Sequence, residues 1–290
     1  MYTYYNVIAD KNRISLVIPA YNEEDYIAQC LQAALGQAEP FYEIIVVDNN
    51  SSDHTAQIAR SFKRVKVVTE KRQGVVFART KGFDMAKGDI IARVDVDTLL
   101  TPQWSRQVRE EFKDASLAAV SGRPTYYDVT FEKFVVAVEN SFRRKMARAL
   151  SDSLFLQGAN MAIRKKSWQQ IKPYLCYKHN MHEDFDLAIH LQEYGHKVTY
   201  SEDLVAGLSA RRVDIGFLSY VRYVGMSPHT YALHEVIGRH KMYPVIACVI
   251  IIWLPARILY RGYNPVTDSF SFKKLFAPNK QVARTDPTRA

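Results

Sequence analysis

The chain has 290 residues, enough for one large α/β domain with additions or for two small domains. Hydrophobic residues make up 48% of it and charged residues 24%, an ordinary globular composition that excludes an intrinsically disordered chain. The formal net charge of +9 suits an anionic partner such as a nucleotide, a nucleic acid or a negatively charged membrane.

Three cysteines, Cys30, Cys176 and Cys248, lie far apart and form no Cys-x-x-Cys pair. This spacing is typical of a reducing compartment, and it predicts neither a disulfide framework nor a metal site. Residues 1–11 contain no basic stretch followed by an apolar run, so we expect no signal peptide.

Strand-like apolar runs alternate with helical patterns over residues 14–94. The predicted strands cover residues 14–19, 43–47, 65–68 and 90–94, and the predicted helices cover residues 24–35, 52–62 and 74–86. This alternation is typical of βαβ crossovers, so we predict a mainly parallel α/β sheet with helices on both faces. Ligands bind beyond the carboxyl ends of such strands, where the polar clusters 20–24, 48–53 and 95–97 all fall.

The triplet Asp95-Val96-Asp97 follows the fourth predicted strand. Two carboxylates at positions i and i+2 beyond a strand can reach the same bound ligand. Mg²⁺ prefers oxygen ligands and takes only one or two of them from a protein, so this pair fits a divalent cation shared with a diphosphate. The same triplet also fits a solvated turn, and only the surrounding sequence separates the two interpretations.

Three stretches follow one another in this part of the chain. Residues 17–24 read Val-Ile-Pro-Ala-Tyr-Asn-Glu-Glu, residues 46–55 begin Val-Val-Asp-Asn-Asn, and residues 74–98 end in Asp-Val-Asp-Thr. In order and spacing, the chain resembles the family 2 inverting glycosyltransferases over residues 12–215. The resemblance implies the GT-A fold, the α/β fold of nucleotide-diphospho-sugar transferases, with a mainly parallel Rossmann-like sheet.

The resemblance also implies that a nucleotide-diphospho-sugar donor binds at the carboxyl edge of this sheet. The residues that it assigns to the donor are Pro19, Ala20, Tyr21, Glu23, Asp48, Arg72, Arg79, Asp95, Gly158, Asn160, Arg211 and Arg212. It further implies that Asp97 binds Mn²⁺ or Mg²⁺ directly, with Asp95 close to the metal or the ribose. Such a metal offsets the negative charge that develops on the leaving nucleoside diphosphate.

Simpler interpretations stand beside several of these assignments. Asp48 fits the first residue of an Asx-turn with the two asparagines that follow it. Arg79 fits a solvated helix face or an ion pair equally well. Gly158 permits a close approach of the backbone and Asn160 could bind a sugar hydroxyl, but this segment also fits a strand edge with a bulge.

An inverting transfer needs a general base that removes the proton of the acceptor hydroxyl. The family carries two acidic residues in front of a helix, and the second of them is the base. This assigns catalysis to Asp184, with Glu183 and Asp186 in supporting roles and His182 as a neighbour. Acidic residues are also common in the first turn of a helix because of its dipole, which is the simpler interpretation.

Three motifs of other proteins are missing from the chain. Without the Gln-x-x-Arg-Trp motif of processive synthases, the resemblance favours a single transfer. Without a Gly-x-Gly-x-x-Gly turn or a phosphate loop, the sequence argues against a nicotinamide oxidoreductase and a P-loop protein. A non-catalytic nucleotide-sugar-binding or scaffold protein with the same fold is the alternative, although the presence of Asp95, Asp97 and Asp184 favours an enzyme.

The segment 242–256 is apolar but shorter than the roughly 20 residues of a simple membrane span. Aromatic residues such as Tyr243 and Trp253, and basic residues beyond them, flank it as expected at a membrane interface. We therefore predict a GT-A domain at residues 1–235 and a membrane-associating helical segment within residues 236–290, lying in the interface or forming a re-entrant hairpin. A core helix or a dimer contact is the alternative.

These features predict an enzyme at the cytoplasmic face of the cell membrane, or in the cytoplasm if the C-terminal segment is core. Its expected partners are the nucleotide-sugar donor, a glycan or lipid-linked acceptor and the membrane surface, but no nucleic acid. A basic amphipathic helix predicted at residues 131–150 fits the same surface or a position over the active site.

Overall fold

The computed structural model describes residues 12–130, 132, 133, 135–137, 141, 145, 156–178, 180–264, 267 and 269–276. Most of the helix predicted at residues 131–150, and the basic tail after residue 276, lie outside the described residues. The three polar clusters at the predicted strand ends all lie within them.

A mixed sheet of eight strands forms the centre of the molecule. Its strands are β1 (Ile14–Ala20), β2 (Glu43–Asp48), β3 (Val65–Thr69), β4 (Ile90–Arg93), β5 (Leu99–Leu100), β6 (Leu117–Tyr126), β7 (Met161–Arg164) and β8 (Lys197–Leu208). They lie in the order β3-β2-β1-β4-β7-β6-β8-β5. The first four strands are parallel, as predicted, whereas β7 is antiparallel to both of its neighbours and β5 is antiparallel to β8.

Helices cover both faces of this sheet. They are α1 (Ile27–Leu35), α2 (Thr55–Ser61), α3 (Val75–Met85), α4 (Trp104–Glu111), α5 (Lys165–Ile171), α6 (Glu183–Glu193), α7 (Phe217–Leu233), α8 (Met242–Gly262) and α9 (Phe272–Leu275). Short 3₁₀ turns lie at Lys172–Tyr174, Arg211–Asp214 and Arg239–Lys241, and a small hairpin, β9 (Tyr263–Asn264) with β10 (Ser269–Phe270), follows α8. The predicted α/β arrangement is confirmed.

Alternating side chains of the central strands build a separate core on each face. In β1, Leu16 and Ile18 pack with α1 and α4 on one face, whereas Val17 packs with α3, α5 and α6 on the other. All three side chains are fully buried. A strand that is covered on both faces reads as a continuous apolar run, which is why the sequence showed no alternation there.

The position of β1 between β2 and β4 defines the ligand-binding edge. The register sets Ala20 level with Asp48, and β4 ends at Arg93, opposite Val17. The chain therefore leaves all three strands at one edge, and β1 lies where the order reverses, with β2 and β3 on one side and β4 on the other. A crevice at such a switch point is the usual ligand site of parallel α/β sheets.

The helix α8 is longer than the segment that the sequence predicted. It runs over 21 residues and continues past residue 256 to Gly262. By length and composition alone, the helical stretch Arg239–Gly262 could cross a bilayer, so the prediction that this segment is too short was wrong. One face of α8 packs against α7 and the turn Arg211–Asp214, where Asp214 accepts a hydrogen bond from Arg257 at 3.0 Å.

Candidate active site

A cavity of about 410 Å³ opens at the carboxyl ends of β1, β2 and β4. Predicted residues that line it are Pro19, Ala20, Tyr21, Glu23, Asp95, Asp97, Glu183, Arg211 and Arg212. The volume falls within the range of small-molecule sites. The tertiary structure thus brings residues from four separate stretches of the sequence into one cavity.

The Asp-x-Asp triplet forms a tight turn directly after β4. The backbone N–H of Thr98 donates to the carbonyl of Asp95 at 3.0 Å, and the Tyr127 hydroxyl donates to the carbonyl of Asp97, also at 3.0 Å. Both carboxylates reach the cavity, with 37% of the Asp95 side chain and 15% of the Asp97 side chain exposed. Two carboxylates on one wall are the hard oxygen donors that Mn²⁺ and Mg²⁺ prefer.

Arg211 lies between two of the predicted site carboxylates. Its guanidinium contacts Asp97 at 2.5 Å and Glu23 at 2.8 Å, and it stacks over the Tyr26 ring at 4.0 Å. The two acidic residues follow different strands, so Arg211 ties the loop after β1 to the loop after β4. A cation held by Asp97 would share this carboxylate with the guanidinium.

Two other predicted arginines lie in different surroundings. Arg212 lines the cavity with its guanidinium 4.1 Å from the centre of the Tyr223 ring. Arg72 is largely exposed, pairs with Glu70 at 3.0 Å and is not among the residues that line the cavity. Of the two, Arg212 is the one that faces the cavity.

Sequence reasoning missed Asn49, which shapes the cavity wall. Its side-chain amide donates to the carbonyls of Glu70 and Arg72 at 2.9 and 2.7 Å and accepts a hydrogen bond from the Gly74 N–H at 2.8 Å. Gly74 has a φ of +134°, which a residue with a side chain rarely adopts. An asparagine directly after a strand-ending aspartate was the available signal.

Besides Arg72 and Gly158, three further predicted donor ligands do not line the cavity. Asp48 is buried and its Oδ1 accepts a hydrogen bond from the Ser51 N–H at 3.2 Å, as in the turn interpretation. Arg79 is fully buried and donates to Glu183. Asn160 is also fully buried: it accepts from the Trp104 indole at 2.8 Å and donates to the Leu204 carbonyl at 3.0 Å. The structure thus corrects the assignment of Asn160 to a sugar hydroxyl, because its side chain joins protein groups.

A buried ion network supports the first turn of α6. Glu183 accepts hydrogen bonds from Arg93 at 2.5 Å and from Arg79 at 2.8 Å, and Arg93 also donates to Asp95 at 3.2 Å. Burial disfavours the charged carboxylate, but the two arginines outweigh it and hold the pKa of Glu183 below its usual range. Arg93, which sequence reasoning also missed, is a basic residue within an apolar strand, a pattern that demands a buried acidic partner.

Asp184 follows immediately and differs from Glu183 in its environment. It is half-buried, and its Oδ2 accepts a hydrogen bond from the Gly158 N–H at 2.9 Å. Burial, reinforced by the negative charge of Glu183, raises the pKa of Asp184 to about 6. Only a glycine at position 158 lets the backbone come this close to Asp184, because an added Cβ would lie 2.3 Å from the Arg93 guanidinium. The pair therefore consists of an anchored Glu183 and a more basic Asp184.

His182 packs beside this pair. Its ring contacts Phe185 and Tyr223, and its backbone N–H donates to the Thr230 hydroxyl at 2.9 Å. Burial, with a smaller contribution from nearby Arg212, lowers the pKa of His182 to about 4. The imidazole is therefore neutral near pH 7, and it packs as the neighbour that the sequence predicted.

The contacts of Asn160 predict that this residue stabilises the fold and does not bind the donor. Replacing Asn160 with alanine leaves the Trp104 N–H without its acceptor, so we expect the free energy of unfolding to fall by about 1–3 kcal/mol. The KM for the donor should stay near the wild-type value. Chemical denaturation and steady-state kinetics measure the two quantities, and Gln57→Ala, an amide lost from an exposed helix position, is the control. A large rise in donor KM at unchanged stability would restore the sugar-ligand role.

Comparison with known proteins identifies relatives that are named glycosyltransferases. Glycosyltransferase AglE of Haloferax volcanii is 29% identical over 171 residues, which are 56% of this chain and 55% of that protein. Putative glycosyltransferase EpsH of Bacillus subtilis is 25% identical over 234 residues, covering 79% of this chain and 63% of EpsH. The chain thus spans only 55–63% of the length of these relatives.

Among solved structures, the mannosyltransferase PcManGT from Pyrobaculum calidifontis, in complex with GDP-Man and Mn²⁺, superposes with a TM-score of 0.62. The alignment covers 91% of this chain and 77% of that one at 17% identity, which establishes a shared GT-A fold. The model of the family described as glycosyl transferase family 2 matches residues 15–171, more than half of the sequence. Since this match contains β1, β2, β4 and the Asp-x-Asp turn, the chain belongs to glycosyl transferase family 2.

Proposed function

We propose that the protein is a metal-dependent inverting glycosyltransferase that makes single transfers. It moves a sugar from a nucleotide-diphospho-sugar to a hydroxyl or phosphate of a glycan or lipid-linked acceptor. One observation carries the proposal: Asp95, Asp97, Arg212 and Glu183 line one cavity at the switch point of the sheet, and Asp184 directly follows Glu183. This combination supplies oxygen ligands for a cation, a positive charge for a diphosphate and a base.

The donor half of the reaction is assigned to the loops after β1 and β4. Pro19, Ala20 and Tyr21 offer a wall for the nucleoside, while Arg212 faces the same cavity with a permanent positive charge. Asp95 and Asp97 would hold Mn²⁺ or Mg²⁺, which, when bound, stabilises the leaving diphosphate as a Lewis acid. The structural relative bound to Mn²⁺ and GDP-Man supports this choice of cofactor.

The acceptor half is assigned to Asp184. A carboxylate whose pKa lies closer to neutrality than that of an ordinary aspartate is the better proton acceptor. The hydrogen bond from the Gly158 N–H holds Oδ2 in place, and Glu183 cannot compete for the proton because two arginines stabilise its charge. Asp184 therefore removes the acceptor proton as the hydroxyl attacks the anomeric carbon.

Release of a nucleoside diphosphate from a panel of nucleotide sugars, with Mn²⁺ or Mg²⁺, tests the proposed function. Asp97→Asn removes an oxygen charge from the metal site, so we expect activity to fall by orders of magnitude. Asp203→Asn, at an exposed aspartate, should keep wild-type activity. If no donor is turned over, the protein is a nucleotide-sugar-binding scaffold with this fold; full activity of Asp97→Asn would refute the metal assignment.

Asp184→Asn tests the base. The amide cannot accept the proton, so the rate of transfer should fall by roughly 10²–10⁴-fold. Binding of the nucleoside diphosphate and Mn²⁺, measured by calorimetry, should remain near the wild-type value because the base acts on the acceptor. If nucleotide affinity collapses instead, Asp184 belongs to the donor site and another group is the base.

The helix α8 supports attachment to a membrane surface. Its half-buried positions recur every three to four residues, and the opposite face carries an exposed apolar stripe: Tyr243, Ile251, Ile252, Leu254, Ile258 and Leu259. Basic residues stand at both ends, with Arg239 and Lys241 before the helix and Lys273 and Lys274 on α9, which packs against it. One face docked on protein and one apolar face fit a helix lying in the bilayer interface. A lipid-linked acceptor would then meet the enzyme at that surface.

Charges placed in the stripe should release the protein from membranes. Each large apolar side chain contributes roughly 1.5–3 kcal/mol, so the double variant Ile251→Asp and Leu254→Asp should lose at least about a hundredfold in binding to anionic liposomes. Co-sedimentation measures this loss, and Tyr42→Asp, at an exposed tyrosine directly before β2, is the control. If the wild type is soluble without detergent and ignores such liposomes, the stripe is a dimer contact.

A further inference from the structure

Four potential metal ligands converge where α6 meets the end of α7. They are Cys176, Asp186, His190 and His234, and their ligand atoms all lie within 4.8 Å of one another. The Asp186 side chain is fully buried, and 8% of His190 is exposed. No motif in the sequence indicates this cluster, since its members come from a loop, a helix and a helix end, with 57 residues between Cys176 and His234.

The spacing of the cluster is close to that of a tetrahedral zinc site. His234 Nε2 lies 2.9 Å and His190 Nε2 lies 3.4 Å from Asp186 Oδ1. Zinc bonds of about 2.0–2.3 Å place tetrahedral ligands roughly 3.3–3.8 Å apart, so the present distances bracket the required ones. A shift of about 1 Å in the widest separation closes the site around an ion.

The hydrogen bonds of His190 prepare it as a ligand. Its Nδ1 lies 3.0 Å from Glu193 Oε2, and in the neutral tautomer that donates to this carboxylate the lone pair is on Nε2. Nε2 is buried and makes no hydrogen bond among the described residues, although Asp186 Oδ1 lies 3.4 Å away. Metal-bound histidines usually donate their second ring nitrogen to a carboxylate in this way. Without a metal, the contact of Nε2 is a long one to a carboxylate oxygen that His234 also approaches, whereas buried polar atoms are nearly always hydrogen-bonded.

We propose that Cys176, Asp186, His190 and His234 bind one Zn²⁺ ion. A thiolate and two imidazoles are soft or intermediate ligands that favour zinc over Mg²⁺ or Mn²⁺, unlike the carboxylates of Asp95 and Asp97. Four protein ligands leave no open position, so the ion is structural. It joins the loop before α6, the body of α6 and the end of α7.

The proposed ion stands close to the catalytic pair. Asp186 follows Asp184 by two residues in the first turns of α6, and His234 ends the helix α7, whose Tyr223 lines the donor cavity. Zinc would therefore fix the helix that presents Glu183 and Asp184. The inference goes beyond the proposed transfer reaction and does not depend on it.

Metal analysis of the purified full-length chain tests the site. We expect about one zinc per chain in the wild type, and almost none in Cys176→Ser or His234→Gln. Cys248→Ser, at an exposed cysteine, and His229→Gln, at an exposed histidine of α7, are matched controls that should keep the ion. Glu193→Gln should weaken zinc affinity by roughly 10–100-fold, because it alters only the partner of His190.

Cobalt substitution distinguishes this site from the carboxylate pair without any assay of activity. Co²⁺ bound by Cys176 should give a thiolate-to-metal charge-transfer band in wild type and in Asp97→Asn, since carboxylates give no such band. This measurement needs no variant of the cluster, so misfolding of Cys176→Ser cannot obscure it. A wild type that binds Co²⁺ without the thiolate band, or a metal content unchanged in a folded Cys176→Ser, would overturn the proposal.

Discussion

The paired charges of Arg79, Arg93 and Glu183 hold the site together. Each comes from a different element, α3, β4 or α6, and each is almost entirely removed from water. A buried charge is tolerated only with its partners, and breaking such a pair by removing one of them typically costs about 3–5 kcal/mol. Arginine cannot escape by losing its proton, so the three side chains must remain together. The start of α6, and with it Asp184, is thereby fixed relative to the sheet.

Arg93 links this ion network to the Asp-x-Asp turn. The same guanidinium that binds Glu183 also donates to Asp95, and the Gly158 backbone packs against it. Glu183 and the first carboxylate of the Asp-x-Asp turn therefore share one buried cation. A side chain in place of Gly158 would displace both, which explains why a glycine stands at a position that does not line the cavity.

The turn Arg211–Asp214 connects the cavity with the C-terminal helix. Arg211 points to Glu23 and Asp97, whereas Asp214, three residues later, accepts hydrogen bonds from Arg257 and Arg261 of α8. A shift of α8 would therefore move this short turn, and with it the arginine that contacts Glu23 and Asp97. The proposed membrane contact and the proposed donor site are thus connected through the turn Arg211–Asp214.

The amino-acid sequence alone could predict the βα alternation and the location of the polar clusters at the strand ends. It could do so because burial of a strand or a helix face leaves a local, periodic trace in the chain. It also indicated the Asp-x-Asp turn and the acidic pair, whose neighbours lie within a few residues. These parts of the fold and of the site depend on short-range patterns.

Features that depend on the pairing of distant residues could be recognised only in the folded structure. Three such features join residues that are far apart in sequence. They are the antiparallel pairing of β7 with β4, the ion pair of Arg79 with Glu183, and the hydrogen bond from Asn160 to the Leu204 carbonyl. A lone arginine or asparagine reads the same in the chain whether it meets a ligand or a protein partner. The cluster around Cys176 shows this most clearly. Its four side chains meet because α6 packs against α7, and they form no sequence motif.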